Sequence, residues 1–244
     1  MHCETRNALD GLTGSGLIRV AGFLFALTVP VYAADWSHWR GPNRDGTTDE
    51  SSGWEQAAWP PKERWRANVG VGSSSPLVIQ GRLYTMGWDG NADRVVCLDV
   101  VTGRELWRVS YACPRFGRFA VGDQSLYAGP TATPEFDEET GLLFTLSTDG
   151  DLNCWDTREE GRRVWWVNLY ERYHMPRRPA IGDSGQRNYG YTTAPLICGD
   201  ELLIEAGGDA GTIVALDKHT GTQRWGSEAR DLAGHTGAPA FMTV

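Results

Sequence analysis

Three stretches of this chain repeat one pattern, and that repetition constrains the fold more than any other feature of the sequence. The copies run from Ser74 to Arg108, from Ala132 to Trp166 and from Thr193 to Trp225. In each copy, turn residues separate four short apolar runs, an arrangement typical of a four-stranded antiparallel meander. The sequence therefore predicts an all-β chain made of consecutive four-stranded sheets.

The third apolar run of each copy ends in an aspartate, which a glycine and a tryptophan follow at nearly constant spacing. Aspartate can accept hydrogen bonds from turn amides, glycine tolerates positive φ, and a buried indole needs an acceptor for its N–H. We therefore expect the tryptophan to pack between neighbouring sheets and the aspartate to be structural. The three sets are Asp99, Gly103 and Trp107; Asp156, Gly161 and Trp165; and Asp217, Gly221 and Trp225.

A proline opens the first run of each copy. Because proline lacks a backbone N–H, it occurs in sheets mainly at strand starts and edges. The first strand is therefore predicted to be the innermost one, with its free edge toward a central channel. The positions are Pro76, Pro134 and Pro195, with Pro239 opening a fourth, incomplete copy.

The segments CLDVVTGRELW, ALDKHTGTQRW and the degenerate CWDTREEGRRVW resemble the repeats of pyrroloquinoline-quinone (PQQ) type β-propellers. The resemblance covers almost the whole chain after residue 34 and implies an incomplete β-propeller of four-stranded blades with tryptophan-docking repeats. KERWRANV, residues 62–69, looks like an isolated outer strand with Trp65 in the docking position. Propellers have about 4 to 8 blades, whereas this chain accommodates three complete ones, so a truncated family member is expected.

The amino-terminal residues carry an export pattern. An apolar run from Val20 to Val29 precedes the small residues Ala33 and Ala34, as in a secretory signal peptide. The run is shorter than the roughly 20 apolar residues that span a bilayer, so we expect no membrane span after signal removal and a periplasmic or extracellular location. Export permits disulfides, and the state of Cys97, Cys113, Cys154 and Cys198 stays open.

These patterns divide the chain into nine parts. They are a signal peptide at 1–34, an N-terminal segment at 35–61, a lone outer strand at 62–72, blade 1 at 73–109, an inter-blade loop at 110–131, blade 2 at 132–169, a second loop at 170–192, blade 3 at 193–227 and the first strand of an incomplete blade 4 at 236–244.

The two inter-blade loops are the predicted ligand face. Each has about twenty residues, and long irregular loops in compact domains are often functional. Their mixture of cationic and aromatic side chains suits a protein or an anionic small ligand, although these residues also fit a merely structural role at the blade junctions. The candidates are Arg115, Arg118, Arg172, His174, Arg177, Arg178, Arg187 and Tyr189.

The sequence favours a non-catalytic exported scaffold for binding or protein interaction. A net charge of −8 and a pI near 5.1 oppose nucleic-acid binding, which needs a basic face. No catalytic residue, metal ligand or cofactor is predicted. The alternative that the resemblance implies is a PQQ-dependent oxidoreductase with calcium, but the sequence shows neither an adjacent cysteine pair nor an evident calcium-binding set. Trp166 is a further candidate, for carbohydrate stacking.

Overall fold

Each copy of the repeat folds into one antiparallel sheet in which neighbours along the chain are neighbours in the sheet. The first sheet contains β1 (Leu77–Ile79), β2 (Arg82–Trp88), β3 (Ala92–Asp99) and β4 (Glu105–Ala112). The second contains β5 (Glu135–Asp137), β6 (Leu142–Leu146), β7 (Asp151–Asp156) and β8 (Arg162–Asn168). The third contains β9 (Leu196–Cys198), β10 (Glu201–Glu205), β11 (Ile213–Asp217) and β12 (Gln223–Gly226). A short helix, α1 (Leu169–Arg172), follows β8, and 3-10 turns cover Thr157–Glu159 and Gly208–Ala210.

The structure is a computed structural model that describes residues 34–51, 53, 55, 60–113, 129–175, 190–231 and 238–239. All of these residues belong to one unit, Ala33–Val244. The predicted signal peptide, apart from Ala34, and nearly all of the predicted blade 4 strand lie outside these ranges. Within them, no helix is both long and apolar enough to cross a membrane.

The predicted fold class, an incomplete β-propeller of four-stranded antiparallel blades, is confirmed. Each sheet begins one residue after its proline, and each third strand ends at its aspartate. The first strands β5 and β9 lie in contact with each other. The second and third sheets therefore lie with their first strands side by side.

Apolar side chains on facing sheets form two principal cores. One core joins the first two sheets and includes Met86 and Val95 with Leu143 and Trp155. The other joins the second and third sheets. Burying one such aliphatic or aromatic side chain stabilises the fold by about 1.5–3 kcal/mol. The two cores thus hold the three sheets in a fixed order.

Two cysteines occupy one slot of the repeat inside these cores. Cys97 pairs with Trp107 across the first sheet, and Cys154 pairs with Trp165 across the second. Both are fully buried. Burial raises the pKa of the Cys97 thiol to about 11, and it also raises the pKa of Cys154. These thiols therefore behave as small apolar side chains.

The segment 62–72, predicted to be a lone outer strand, carries a single strand contact. Val71 forms an isolated antiparallel bridge with Trp88, and no residue from 62 to 70 pairs with a strand. A β-strand requires hydrogen bonds to a neighbouring strand along its length. Among the described residues of this segment, Val71 alone has such a pairing. The segment is nevertheless attached to the first sheet through Trp65, whose indole N–H donates to the Val100 carbonyl at 3.0 Å.

A buried ion pair connects the second and third sheets. Lys218 Nζ lies 2.8 Å from Asp137 Oδ2, and their side chains are 3% and 8% exposed. Burial alone would raise the pKa of Asp137, but hydrogen bonds from Lys218 and Thr140 and the Lys218 charge outweigh it and lower the pKa. Asp137 therefore contributes stability above its unfolded pKa of about 3.9, and this contribution is lost as the pH falls through the lowered folded pKa.

Replacing Asp137 with asparagine should lower the free energy of unfolding at pH 7 by about 2 kcal/mol, because Lys218 loses its nearest charge partner inside the fold. The loss should shrink as the pH falls below the unfolded pKa of about 3.9 and through the lowered folded pKa, where the wild-type carboxylate also becomes protonated. Urea unfolding at several pH values measures both effects. Glu139→Gln is the control, since Glu139 is 85% exposed and 3.9 Å from Lys218. An equal loss at pH 7 and pH 3 would contradict this account.

Candidate functional site

Three tryptophans each lie against a turn glycine of the sheet that comes next along the chain, whereas Trp225 is 43% exposed and covers no turn glycine among the described residues. We call the residues from the aspartate to the glycine a glycine turn. A Cβ atom built on these glycines would lie 2.5, 2.8 and 2.9 Å from the indole, in chain order. Such distances are shorter than real Cβ contacts, so the ring takes the space that a side chain would fill. The pairs are Trp65 with Gly103, Trp107 with Gly161, and Trp165 with Gly221.

Two of these indoles also donate a hydrogen bond to the carbonyl that follows the turn aspartate. Trp65 donates to Val100, and Trp165 donates to Lys218 at 2.9 Å. The Trp107 N–H is buried and has no hydrogen-bond partner among the described residues. The glycine turn that Trp107 covers, Asp156–Gly161, contains one extra residue and includes a 3-10 turn and Glu160 with φ of +52°, and we attribute the missing hydrogen bond to this insertion. The insertion is visible in the sequence, but its consequence for the indole is not.

The turn aspartates act as hydrogen-bond acceptors. Asp99 Oδ1 accepts from the backbone of Val101 and from the backbone and hydroxyl of Thr102. The Thr102 hydroxyl is the main cause of the lowered pKa of Asp99. A hydrogen bond from Arg224 is the main cause that lowers the pKa of Asp217 to about 2. Carboxylates that stay ionised in this way suit a structural role and make poor bases near neutral pH.

Two of the eight predicted ligand-face residues, Arg172 and His174, lie in the described part of the chain. The other six, Arg115, Arg118, Arg177, Arg178, Arg187 and Tyr189, lie outside it. Arg172 ends α1, whose first turn is capped by the Asn168 side chain. Its guanidinium donates to the Gly221 carbonyl at 2.8 Å and lies 5.6 Å from the Tyr173 ring centroid. His174 is exposed and has φ of +53°.

These two residues border a pocket of about 420 Å³. One wall is the segment from Arg172 to Met175, and the other is the 3-10 turn Gly208–Ala210 of the third sheet. The Tyr173 hydroxyl is buried and has no hydrogen-bond partner within the part of the chain that the structure describes, and burial raises the pKa of this tyrosine. The residues that line the pocket therefore include an arginine, a histidine, a tyrosine and an aspartate, Asp209, a mixture that suits a polar ligand. Its second wall was absent from our predictions, although the glycines around Gly208–Ala210 signal a turn at that place.

A second polar group, also missed by sequence reasoning, lies between the first two sheets. Asp93, Asp149 and Asp151 are buried there, and the Cys113 thiol is 3.3 Å from Asp149 Oδ2. Burial is the main cause of the raised pKa of Asp151; Asn168 and Trp166 hydrogen bonds oppose it, and the other two carboxylates add to it. In the described ranges, no three His, Cys, Asp or Glu side chains are grouped to hold a metal ion.

Trp166, the predicted carbohydrate platform, belongs to this second group. Its indole N–H donates to Asp151 Oδ1 at 2.9 Å, and the residue is 47% exposed. The ring is thus anchored at one end while part of its surface faces solvent.

Comparison with models of known protein families identifies the family of this chain. A family model described as "Outer membrane protein assembly factor BamB" matches residues 91–241, which is more than half of the chain. The chain belongs to the BamB-like family of PQQ-type propellers. The matched region includes β3 and β4 of the first sheet and the whole of the second and third sheets. The resemblance inferred from the repeats is confirmed.

Solved structures with similarity to this BamB-like chain include a BamB and a methanol dehydrogenase. BamB from Moraxella catarrhalis is 22% identical with a TM-score of 0.39, over 65% of this chain and 39% of that one. A europium-containing methanol dehydrogenase is 17% identical with a TM-score of 0.40, over 66% of this chain and 26% of that one. The chain thus spans well under half the length of either relative. No match was found among curated proteins.

Proposed function

We propose that this chain is an exported, non-catalytic scaffold that binds a protein engaged in outer-membrane protein assembly. The observation that carries the proposal is the match of residues 91–241 to a family described as an outer membrane assembly factor. The export pattern at residues 20–34 agrees with a partner in the cell envelope.

The ligand face suits this role because its described part is anchored on a rigid framework. The short helix α1 follows β8 directly and is capped by Asn168. Arg172 is bound to the third sheet through the Gly221 carbonyl, while its neighbour His174 is exposed. A rigid base with exposed polar groups is a favourable starting point for protein recognition, because little conformational entropy is lost on binding.

Site-specific photocrosslinking in the native host tests the proposal. A photoreactive residue at His174 should capture a defined envelope protein. The same residue at Val164, which is 38% exposed on β8, serves as the control and should not. The captured protein, once purified, should bind the wild-type chain directly, and Arg172→Ala should weaken that binding by roughly tenfold, as expected for an interface arginine. Equal crosslinking at both positions, or direct binding that is insensitive to Arg172, would reject this ligand face.

A reconstitution experiment separates this function from the oxidoreductase alternative. The full chain is mixed with PQQ and calcium, and quinone absorbance of the re-isolated protein and dye reduction with alcohol substrates are measured. The scaffold proposal predicts neither signal. Stoichiometric quinone absorbance together with dye reduction would favour the quinone-dependent oxidoreductase instead.

A further inference from the structure

The chain becomes attached to the first sheet at the point where the sequence predicts that an export signal ends. Asp35 Oδ1 accepts a hydrogen bond from the Gln80 N–H at 2.9 Å. Trp36 exchanges two backbone hydrogen bonds with Val78 of β1, at 2.6 and 3.0 Å. The chain is therefore held in place from Asp35 onwards, and Ala34 is the residue immediately before this attachment.

The backbone nitrogen of Ala34 lies beside a carboxylate. Its N–H donates to Glu50 Oε1, and both residues are exposed. In the described ranges, no lysine or arginine side chain pairs with Glu50. A carboxylate binds an ammonium group more strongly than a neutral amide N–H, because the charge of the donor adds to the hydrogen bond. The Glu50 carboxylate therefore suits a free amino terminus at Ala34 better than it suits a peptide bond there.

The residues before Ala34 favour a free amino terminus at the same place. A signal sequence ends in a pattern in which the last residue and the one two positions before it are small. Cleavage after Ala33 gives these two positions to Ala33 and Val31, whereas cleavage after Ala34 gives the earlier one to the bulky Tyr32. The sequence and the Glu50 contact therefore select the same bond.

We propose that an export peptidase hydrolyses the Ala33–Ala34 peptide bond and that the amino group released on Ala34 forms an ion pair with Glu50. Water adds its hydroxyl to the Ala33 carbonyl carbon as the bond to nitrogen breaks. The nitrogen takes up the other proton of that water and the proton of the new carboxyl group, which leaves a carboxylate and an ammonium group. The ion pair secures the N-terminal segment whose Arg44 reaches Glu135. This inference rests on the export part of the proposed function and not on its partner.

Mass spectrometry of the full chain, expressed in a bacterial host with an outer membrane and isolated from the cell envelope, tests the cleavage. The protein should begin at Ala34. Ala33→Phe should block cleavage because a bulky residue then ends the signal, whereas Ala34→Phe is the matched control and should be processed normally. A protein that begins at Asp35, with processing lost in Ala34→Phe, would overturn this inference but not export. A wild type that keeps its signal would contradict export as well.

Trimming of the mature protein by an aminopeptidase tests the ion pair. The enzyme must capture the ammonium group that Glu50 holds, so Glu50→Gln should lose Ala34 about two- to fivefold faster than the wild type, as expected for an exposed ion pair. Glu55→Gln removes another exposed carboxylate and should match the wild type. In an NMR titration, the pKa of the Ala34 amino group should be higher in the wild type than in Glu50→Gln. Equal trimming rates and equal pKa values in these two proteins would rule out the ion pair.

Discussion

Replacing Gly221 with alanine should destabilise the protein by about 3 kcal/mol, one of the two largest single-residue effects that the structure predicts. The residue has φ of +70°, and its new Cβ would lie 2.9 Å from two atoms of the Trp165 ring. A left-handed conformation costs a non-glycine residue about 1–2 kcal/mol. Displacement of the indole from the interface adds the remainder. Chemical unfolding followed by tryptophan fluorescence measures the change.

Gly199→Ala is the matched control for this substitution. Gly199 lies in the same sheet, has φ of +57°, and has no atom within 4 Å of a built Cβ. Its replacement should therefore cost only the conformational part, about 1 kcal/mol. Equal losses for the two variants would show that the indole contributes nothing at Gly221.

Replacing Glu135 with glutamine should cost about 3 kcal/mol at pH 7, because several donors converge on this buried carboxylate. Glu135 is fully buried in β5 and forms an ion pair with Arg44. It also accepts from the Ile197 N–H at 3.1 Å and lies 3.1 Å from His38 Nδ1. The carboxylate thus connects the N-terminal segment with the first strands of the second and third sheets. Glutamine retains one acceptor oxygen and leaves the guanidinium without a charge partner.

Glu138→Gln supplies the control, since Glu138 is exposed just beyond the end of β5. Its unfolding free energy should match that of the wild type within about 0.5 kcal/mol. Limited proteolysis provides a second measurement, in which Glu135→Gln should be cut faster within residues 34–51 than the control. Equal stability and equal proteolysis of the two variants would contradict the role given to Glu135.

The sheets could be predicted from the sequence because the information is local and repeated. Asp99, Asp156 and Asp217 end their strands as predicted, since the turn that follows each is encoded within a few residues. A single Asp, Gly and Trp spacing is weak evidence for such a turn, but its recurrence in three copies supports the prediction strongly. The family likewise followed from these turns, and the match to residues 91–241 confirms it.

The sites were less predictable because their residues meet only in three dimensions. Nothing in the sequence around Glu135 indicates that Arg44, 91 positions away, is its partner. The buried group of Asp93, Asp149 and Asp151 also combines residues from two sheets. The pocket wall at Gly208–Ala210 depends on how the third sheet packs against α1. Partners that are distant along the chain need the fold before they can be assigned.

The central claim is that the indole of one sheet couples it to the next sheet by packing against that sheet's turn glycine. A double-mutant cycle on Trp165 and Gly221 tests this claim most directly. The unfolding free energies of the wild type, both single variants to alanine and the double variant are compared. Gly221→Ala should cost about 3 kcal/mol in the wild type but only about 1 kcal/mol once Trp165 is alanine, a coupling of about 2 kcal/mol. The same cost in both backgrounds would contradict the claim.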